Sequence, residues 1–316
     1  MISKIQEACS LVHKFINPTP LLEHQALNEL INGNVLLKAE FMQPTGSFKL
    51  RGALYAISKL SPDQRNNGVL AYSSGNHGIG VAYGAKRFDI SATVVVPKDI
   101  PEAKLAKITE FGAEIIFYDR GTDDREKIGS DIAKERGLSI IKPYDDIDTI
   151  IGQGTCGLEV LEQSSLRLDC AIVCTGGGGL MAGMGTALRE KFPSIQLFTA
   201  EPIGWDDHML SFVAGKRIEC VKKSGGICDG LLTATPGEKT FAINQRNNVL
   251  GLNASEEQVL EAMHWAFKNL EIELEPSGAV ALACFFQNRE KFKDKNVLIT
   301  LTGGNVDSEK YLKVFS

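Results

Sequence analysis

The chain is punctuated by short apolar, β-rich runs that lack strict alternation: NVLLKAE, GVLAYSS, ATVVVP, AEIIFYD, LSIIKPY, CAIVCT, IQLFTAE and NVLITLTGG. A strand with one wet face alternates apolar and polar residues, so runs of this kind read as strands covered on both faces. Helical patterns such as HGIGVAYGAKRF, EAKLAKITEFG and LMAGMGTALREKF lie between them. Strand and helix in alternation predict parallel α/β sheets. The strand-helix units from about Gly68 to Tyr144 are expected to form a small domain, 68–144, with residues 1–67 and 145–316 making a large one.

A net charge of −5, with 43% hydrophobic and 23% charged residues, is that of a soluble globular protein and argues against nucleic acid or anionic membrane as a partner. No apolar run reaches the ~20 residues that span a bilayer. The N-terminal MISKIQEACSLVHKF spreads its charges unlike a signal peptide, so a cytoplasmic location is expected. The cysteines number seven, an odd count without a CxxC pair, and read as reduced thiols. Cys170 and Cys174, flanking a strand-like run, read as small buried hydrophobes.

Four loops carry candidate chemistry. In PTGSFKLRGA, Pro44, Thr45, Gly46 and Ser47 supply turn and capping residues, which puts Lys49 in the first turn of a helix. The helix dipole disfavours a cation there, so a role other than helix stability is expected. In CAIVCTGGGGLMAGMG, a strand runs through Gly176, Gly177, Gly178 and Gly179 into a helix. Bare backbone amides at a helix N-terminus suit a phosphate. Gly177, Gly179 and Ala182 also fit GxGxxA, with Glu201 ending the next strand, so a dinucleotide site stays open; no GK[ST] follows, which excludes a Walker loop.

In AYSSGNHGIG, Ser73, Ser74, Gly75, Asn76 and His77 join a strand end to a helix start, where a carboxylate would be well held. An ordinary N-cap is the competing account for either serine, and a solvent-facing ring for His77. In LITLTGGN, Thr302 ends a strand and would face the crevice outside the sheet's carboxyl edge.

Taken together and in this order, the motifs resemble the fold type II pyridoxal-phosphate enzymes, specifically the serine/threonine dehydratase and serine racemase group. The resemblance spans nearly the whole chain: SFKLRGA, SSGNHG, GQGT at Gly152 to Thr155, GGGG, an EP segment, EPSGA and TGGN. It implies two open, twisted, mostly parallel sheets flanked by helices, divided into a large and a small domain as in the tryptophan synthase beta-like fold. It also implies that Lys49 forms the imine link to pyridoxal phosphate and later acts as a base, with Phe48 beside the ring and Gly176, Gly177, Gly178 and Gly179 around the phosphate. Asn76 would meet the phenolic oxygen and Thr302 the pyridine nitrogen. A neutral hydroxyl at that nitrogen favours loss of a β-substituent over transamination.

The same resemblance implies that Ser73, Ser74, Gly75, Asn76 and His77 receive the substrate carboxylate, with Ser74 on the cofactor face opposite the lysine. Glu275 would border the β-hydroxyl, although a helix-capping carboxylate before Pro276 reads identically. Glu201, the Trp205 carbonyl and Asp207 match residues that hold a divalent cation in racemase-like relatives, and oxygen ligands suit Mg²⁺ or Ca²⁺. Two solvated carboxylates are the plainer account, and His208 beside them reads as a bystander. The polar, glycine-rich segment 224–237 is expected to close the pocket.

The expected activity is that of a homodimeric threonine/serine ammonia-lyase acting on a small amino acid. Because the sequence stops soon after TGGNVD, a regulatory domain and inhibition by isoleucine are not expected. Serine racemase and threo-3-hydroxyaspartate ammonia-lyase are the alternatives within the group. From other classes, a dinucleotide-dependent oxidoreductase rests on the glycine loop alone, and a catalytically silent binding protein has little support.

Overall fold

The computed structural model describes residues 1–73, 75–119, 121–220 and 224–306. The apolar runs form strands in two sheets. The larger sheet has the order β1-β2-β10-β7-β8-β9, built from Leu21–Leu22, Asn34–Ala39, Asn296–Leu301, Cys170–Cys174, Gln196–Pro202 and Leu250–Ala254. The smaller has the order β5-β4-β3-β6, from Glu114–Tyr118, Ala92–Pro97, Val69–Tyr72 and Ser139–Ile140. Every strand pair is parallel except the short β1, which runs antiparallel to β2 through Leu21 and Lys38.

The central strands are covered on both faces as their sequences require: every residue of β4 and β7 is buried. Period-two geometry sorts their side chains into two cores. Leu37, Ile172 and Ile299 pack with Ala281 and Phe285 on one face of the larger sheet, while Leu36, Ala171, Val173 and Leu298 pack with Met184 on the other. The sequence pattern does not announce β9, because it is an edge strand with Leu250 exposed and only Leu252 and Ala254 buried.

The helix Lys49–Ser58 packs against the helices Asn76–Arg87 and Ile147–Gln163. Gly152 permits the second contact, since a methyl group there would lie 2.6 Å from the Arg51 carbonyl. One expectation fails. Neither Thr45 nor Ser47 caps the lysine helix: its N-cap is Phe48, without a side-chain cap. The turn is instead stitched to the end of β10. Ser47 bridges Gly303, the Phe48 amide donates to the Thr302 carbonyl at 3.2 Å, and the Gly304 amide donates to the Gly46 carbonyl at 3.0 Å.

Arg51, one half-turn past Lys49, anchors the same helix from its other side. It is fully buried, with Nε and Nη2 on Glu40 at 2.7 and 2.8 Å and Nη1 and Nη2 on Glu159 at 2.6 Å each. Lys38 of β2 completes a neutral set by donating to Glu159 at 2.7 Å and to the Thr19 carbonyl at 2.7 Å. Burial alone would raise Glu159, but Arg51 and Lys38 outweigh it and hold the carboxyl at about 2. The sign follows directly. A carboxyl lowered in the folded state stabilises the fold above its unfolded pKa, near 4.5, and that contribution is lost as pH falls toward 2. Arg51→Ala leaves two buried carboxylates short of their main partner and should cost roughly 3–5 kcal/mol, measured as a lower denaturation midpoint in urea at pH 7. At pH 2 the gap between variant and wild type should narrow.

Candidate active site

The carboxyl ends of β3, β7 and β10 face one cleft of about 320 Å³, lined by residues of both sheets. Phe48, Lys49, Ser73, Gly75, Asn76, His77, Gly176, Gly177, Gly178, Gly179, Glu275 and Thr302 all line it. Ser74 lies outside the described residues. Glu201, Trp205 and Asp207 sit elsewhere, at the end of β8 and the start of the helix Asp207–Ala214.

Lys49 Nζ donates to the Pro143 carbonyl at 2.8 Å and stands 5.2 Å from the centre of the Phe48 ring. Loss of hydration lowers its pKa to about 8, with no carboxylate opposing the shift. At pH 7 roughly one such amine in ten is neutral, against about one in three thousand for an ordinary lysine.

The glycine loop needs its glycines. A methyl group at Gly177 would overlap the Tyr144 ring, and Gly178, at φ +88°, has His208 Nε2 2.7 Å from where its Cβ would be. Thr240 Oγ1 donates to the Gly177 carbonyl at 2.6 Å, which leaves the loop's amides and the start of the helix Gly179–Lys191 as the anion-facing groups. Segment 224–237 does line the cleft, through Asp229 to Thr233 and Thr235 to Gly237.

His77 is not a solvent-facing helix residue. Its ring is buried, Nε2 donates to the Ile141 carbonyl at 2.7 Å, and burial drops its pKa to about 3. Nδ1 is then a bare acceptor, so only the backbone of His77 has a donor to offer an anion. Glu275 stands at the N-cap of the helix Pro276–Gln287, but its side chain makes no capping hydrogen bond. Burial raises its pKa to about 7; it accepts from Asn76 Nδ2 and lies 3.8 Å from Lys104 Nζ. Asn76 Oδ1 in turn accepts from Asn305 at 2.7 Å. Thr302 is buried; its hydroxyl makes a long 3.5 Å contact with the Ser277 carbonyl and also reaches the Cys174 thiol.

Sequence reasoning missed Tyr144, the Pro143 carbonyl and Lys104. Tyr144 and Pro143 follow the smaller sheet, and Lys104 sits on an amphipathic helix where it reads as a surface residue. No local pattern marks them. Lys104 is nonetheless buried and donates to Asp229 at 2.7 Å.

Glu201 is fully buried, its oxygens accepting the amides of His208 at 2.8 Å and Met209 at 2.9 Å. This overturns the picture of a solvated carboxylate. Both Asp207 oxygens are buried without a hydrogen bond of ordinary geometry, and burial raises the carboxyl to about 8. Glu201 is raised further by burial and by Asp207. Among the described residues no three His, Cys, Asp or Glu side chains are grouped to hold a metal. No described helix is long and apolar enough to cross a membrane.

A cleft of this kind, with an enclosed low-pKa lysine on one side and a tetraglycine turn on the other, defines an enzyme that takes a phosphorylated carbonyl cofactor. The sequence profile of the pyridoxal-phosphate dependent enzymes matches residues 12–303, and the chain belongs to that family. It is 38% identical over 312 residues to the L-threo-3-hydroxyaspartate ammonia-lyase of Saccharomyces cerevisiae, covering 99% of this chain and 95% of that one. It is 37% identical to the serine racemase of Schizosaccharomyces pombe, covering 99% and 96%. The solved processed form of threonine deaminase isoform 2 from Solanum lycopersicum superposes with a TM-score of 0.92 at 30% identity, covering 99% of this chain and 92% of that one. The two-sheet α/β fold is therefore that of the fold type II enzymes.

In cofactor-free protein, labelling of Lys49 by acetic anhydride, followed by mass spectrometry, should rise with pH about a midpoint near 8. A midpoint at the ordinary lysine value of about 10.4 would show the amine to be hydrated.

Proposed function

We propose that the protein is a pyridoxal-phosphate-dependent ammonia-lyase that converts L-threonine and L-serine to a 2-oxo acid and ammonia. The observation that carries this reading is the Lys49 amine, its pKa lowered by desolvation alone, in one cleft with the glycine loop and a neutral hydroxyl, Thr302. The residues fit the cofactor: Gly177 and Gly178 leave no room for a Cβ against Tyr144 and His208, so the loop presents bare backbone, and the Thr302 hydroxyl lines the same cleft. When bound, pyridoxal phosphate supplies an aldehyde for the substrate amine and a ring that draws electrons from Cα.

The chain's own groups do the rest. Gly176, Gly177, Gly178 and Gly179 hold the phosphate, Asn76 the phenolic oxygen, and Phe48 packs beside the ring. The amides of Ser73 to His77, with Ser74 among them, take the substrate carboxylate. Lys49 Nζ, neutral in a useful fraction at pH 7, receives the Cα proton. Thr302, being uncharged, does not force a proton onto the ring nitrogen, which favours departure of the β-hydroxyl. Loss of water and then hydrolysis of the released enamine give the oxo acid and ammonia. Tyr144 and the segment 229–237 close the cleft against water.

A second reading, 3-hydroxyaspartate as the preferred substrate, is favoured by Lys104, Arg125 and Arg217 on the cleft wall, which suit an additional carboxylate. Glu201, Asp207 and the Trp205 carbonyl are proposed to bind Mg²⁺ or Ca²⁺. The support is two adjacent buried carboxyls, both held above the ordinary carboxyl range with no cation beside them. We further propose a homodimer working in the cytoplasm, a setting in keeping with seven buried cysteines outside any disulfide, and residues 68–144 moving as a unit.

Lys49→Ala should lower ammonia release from threonine and serine by at least about 10³-fold and abolish the cofactor's borohydride-fixable attachment. Attachment persisting in the variant would overturn the assignment. Turnover on 3-hydroxyaspartate far above that on threonine and serine would establish the second reading in place of the first.

A further inference from the structure

Asn305 is a crossing point between the two sheets. It is buried just past β10, against the turn that leads to Lys49, and a Cβ at Gly46 would overlap its amide. Its Nδ2 donates to the Thr45 carbonyl at 2.8 Å and to Asn76 Oδ1 at 2.7 Å, while its Oδ1 accepts from Lys107 Nζ. A backbone carbonyl can only accept and an ammonium can only donate, so the Asn305 amide has a single orientation. That orientation fixes the next amide along. Asn76 must turn Oδ1 to Asn305 and its own NH₂ group toward Glu275 and the cleft. One hydrogen of that group goes to Glu275, and the other is the one Asn76 can give a ligand. Donors thus run one way, from Lys107 through Asn305 and Asn76 toward the cofactor site.

Lys107 reaches this chain from the other sheet's side, on the helix Glu102–Glu110, which packs on the helix Asn76–Arg87. Lys104, one turn earlier on the same helix, puts its charge on Asp229 at 2.7 Å, whereas Lys107 puts its own on a neutral amide. A cation at the head of a chain of amides polarises it: charge-assisted hydrogen bonds are the stronger ones, and linked donors strengthen one another where the local dielectric is low. We propose that Lys107 is a positioning residue that, through Asn305, aims and strengthens the Asn76 NH₂ group as a donor to the cofactor's phenolic oxygen. This rests on the reading of Asn76 as the partner of that oxygen. An oxygen bearing negative charge gains from such a donor, and a ligand with hydrogen in its place gains nothing. The contribution of Lys107 is therefore confined to ligands that carry the oxygen, which separates it from a role in packing or in holding the two sheets together.

The test measures ligand selectivity instead of turnover. The full chain, freed of cofactor, is titrated by quenching of tryptophan fluorescence with pyridoxal phosphate and with its analogue in which hydrogen replaces the phenolic hydroxyl. The ratio of the two dissociation constants is the readout, since a purely structural defect weakens both ligands alike and leaves the ratio in place. In Lys107→Met the preference for the natural cofactor should fall roughly fivefold, as expected when charge assistance is lost from a relayed hydrogen bond. Lys107→Ala gives the same readout should the methionine variant not fold. Lys107→Arg, which keeps the charge, should keep the preference, and Asn76→Ala should abolish it. A preference lost in Asn76→Ala but unchanged in Lys107→Met, or lost equally in the arginine and methionine variants, overturns the proposal and leaves the reading of Asn76 standing. A preference that Asn76→Ala does not move overturns both.

Discussion

A lysine amine keeps a useful neutral fraction near pH 7 only where water is scarce and no carboxylate stands beside it, and the rest of this fold serves that constraint. Lys49 and Arg51 are two residues apart on one helix, yet they have opposite fates. Arg51 is buried with two carboxylates and driven further toward its charged form; Lys49 meets only a carbonyl and a ring and is pushed the other way. The helix separates the two environments by presenting successive residues to different faces. The compensated cation holds the helix in place, and the uncompensated one is left to react.

The buried titratable groups nearest Lys49 are pushed toward their neutral forms. Burial pushes His77 down to about 3, Glu275 up to about 7 and Tyr144 up to about 12. Beside these buried groups the partial charges of backbone amides and the helix end at Gly179 act over a low local dielectric. An anion placed there is held by dipoles that need no reorganisation.

Much of this was legible in the sequence, and the losses have physical causes. Doubly covered strands such as CAIVCT and ATVVVP declare themselves because both faces are apolar. β9 is hidden because an edge strand with Leu250 in solvent has no such signature. Lys49, the glycine loop and Thr302 stood out as short motifs at strand or helix ends, and the fold gathers them in one cleft. The cap expected from Thr45 and Ser47 did not form, since β10, close to the other end of the chain, supplies the bonds from beyond the reach of local capping rules. Tyr144, Pro143 and Lys104 were invisible for the same reason. They act on the site only once two sheets meet.

The two carboxyl pairs of the molecule respond to burial in opposite ways. Glu40 and Glu159 are buried with Arg51 and Lys38 and are held below the usual carboxyl range; Glu201 and Asp207 are buried without a cation and are held above it. Desolvation acts in the same direction on all four, so the difference in sign comes from the partner alone. The first pair is complete within the chain. The second lacks a positive charge, and its two carboxyls act on each other instead.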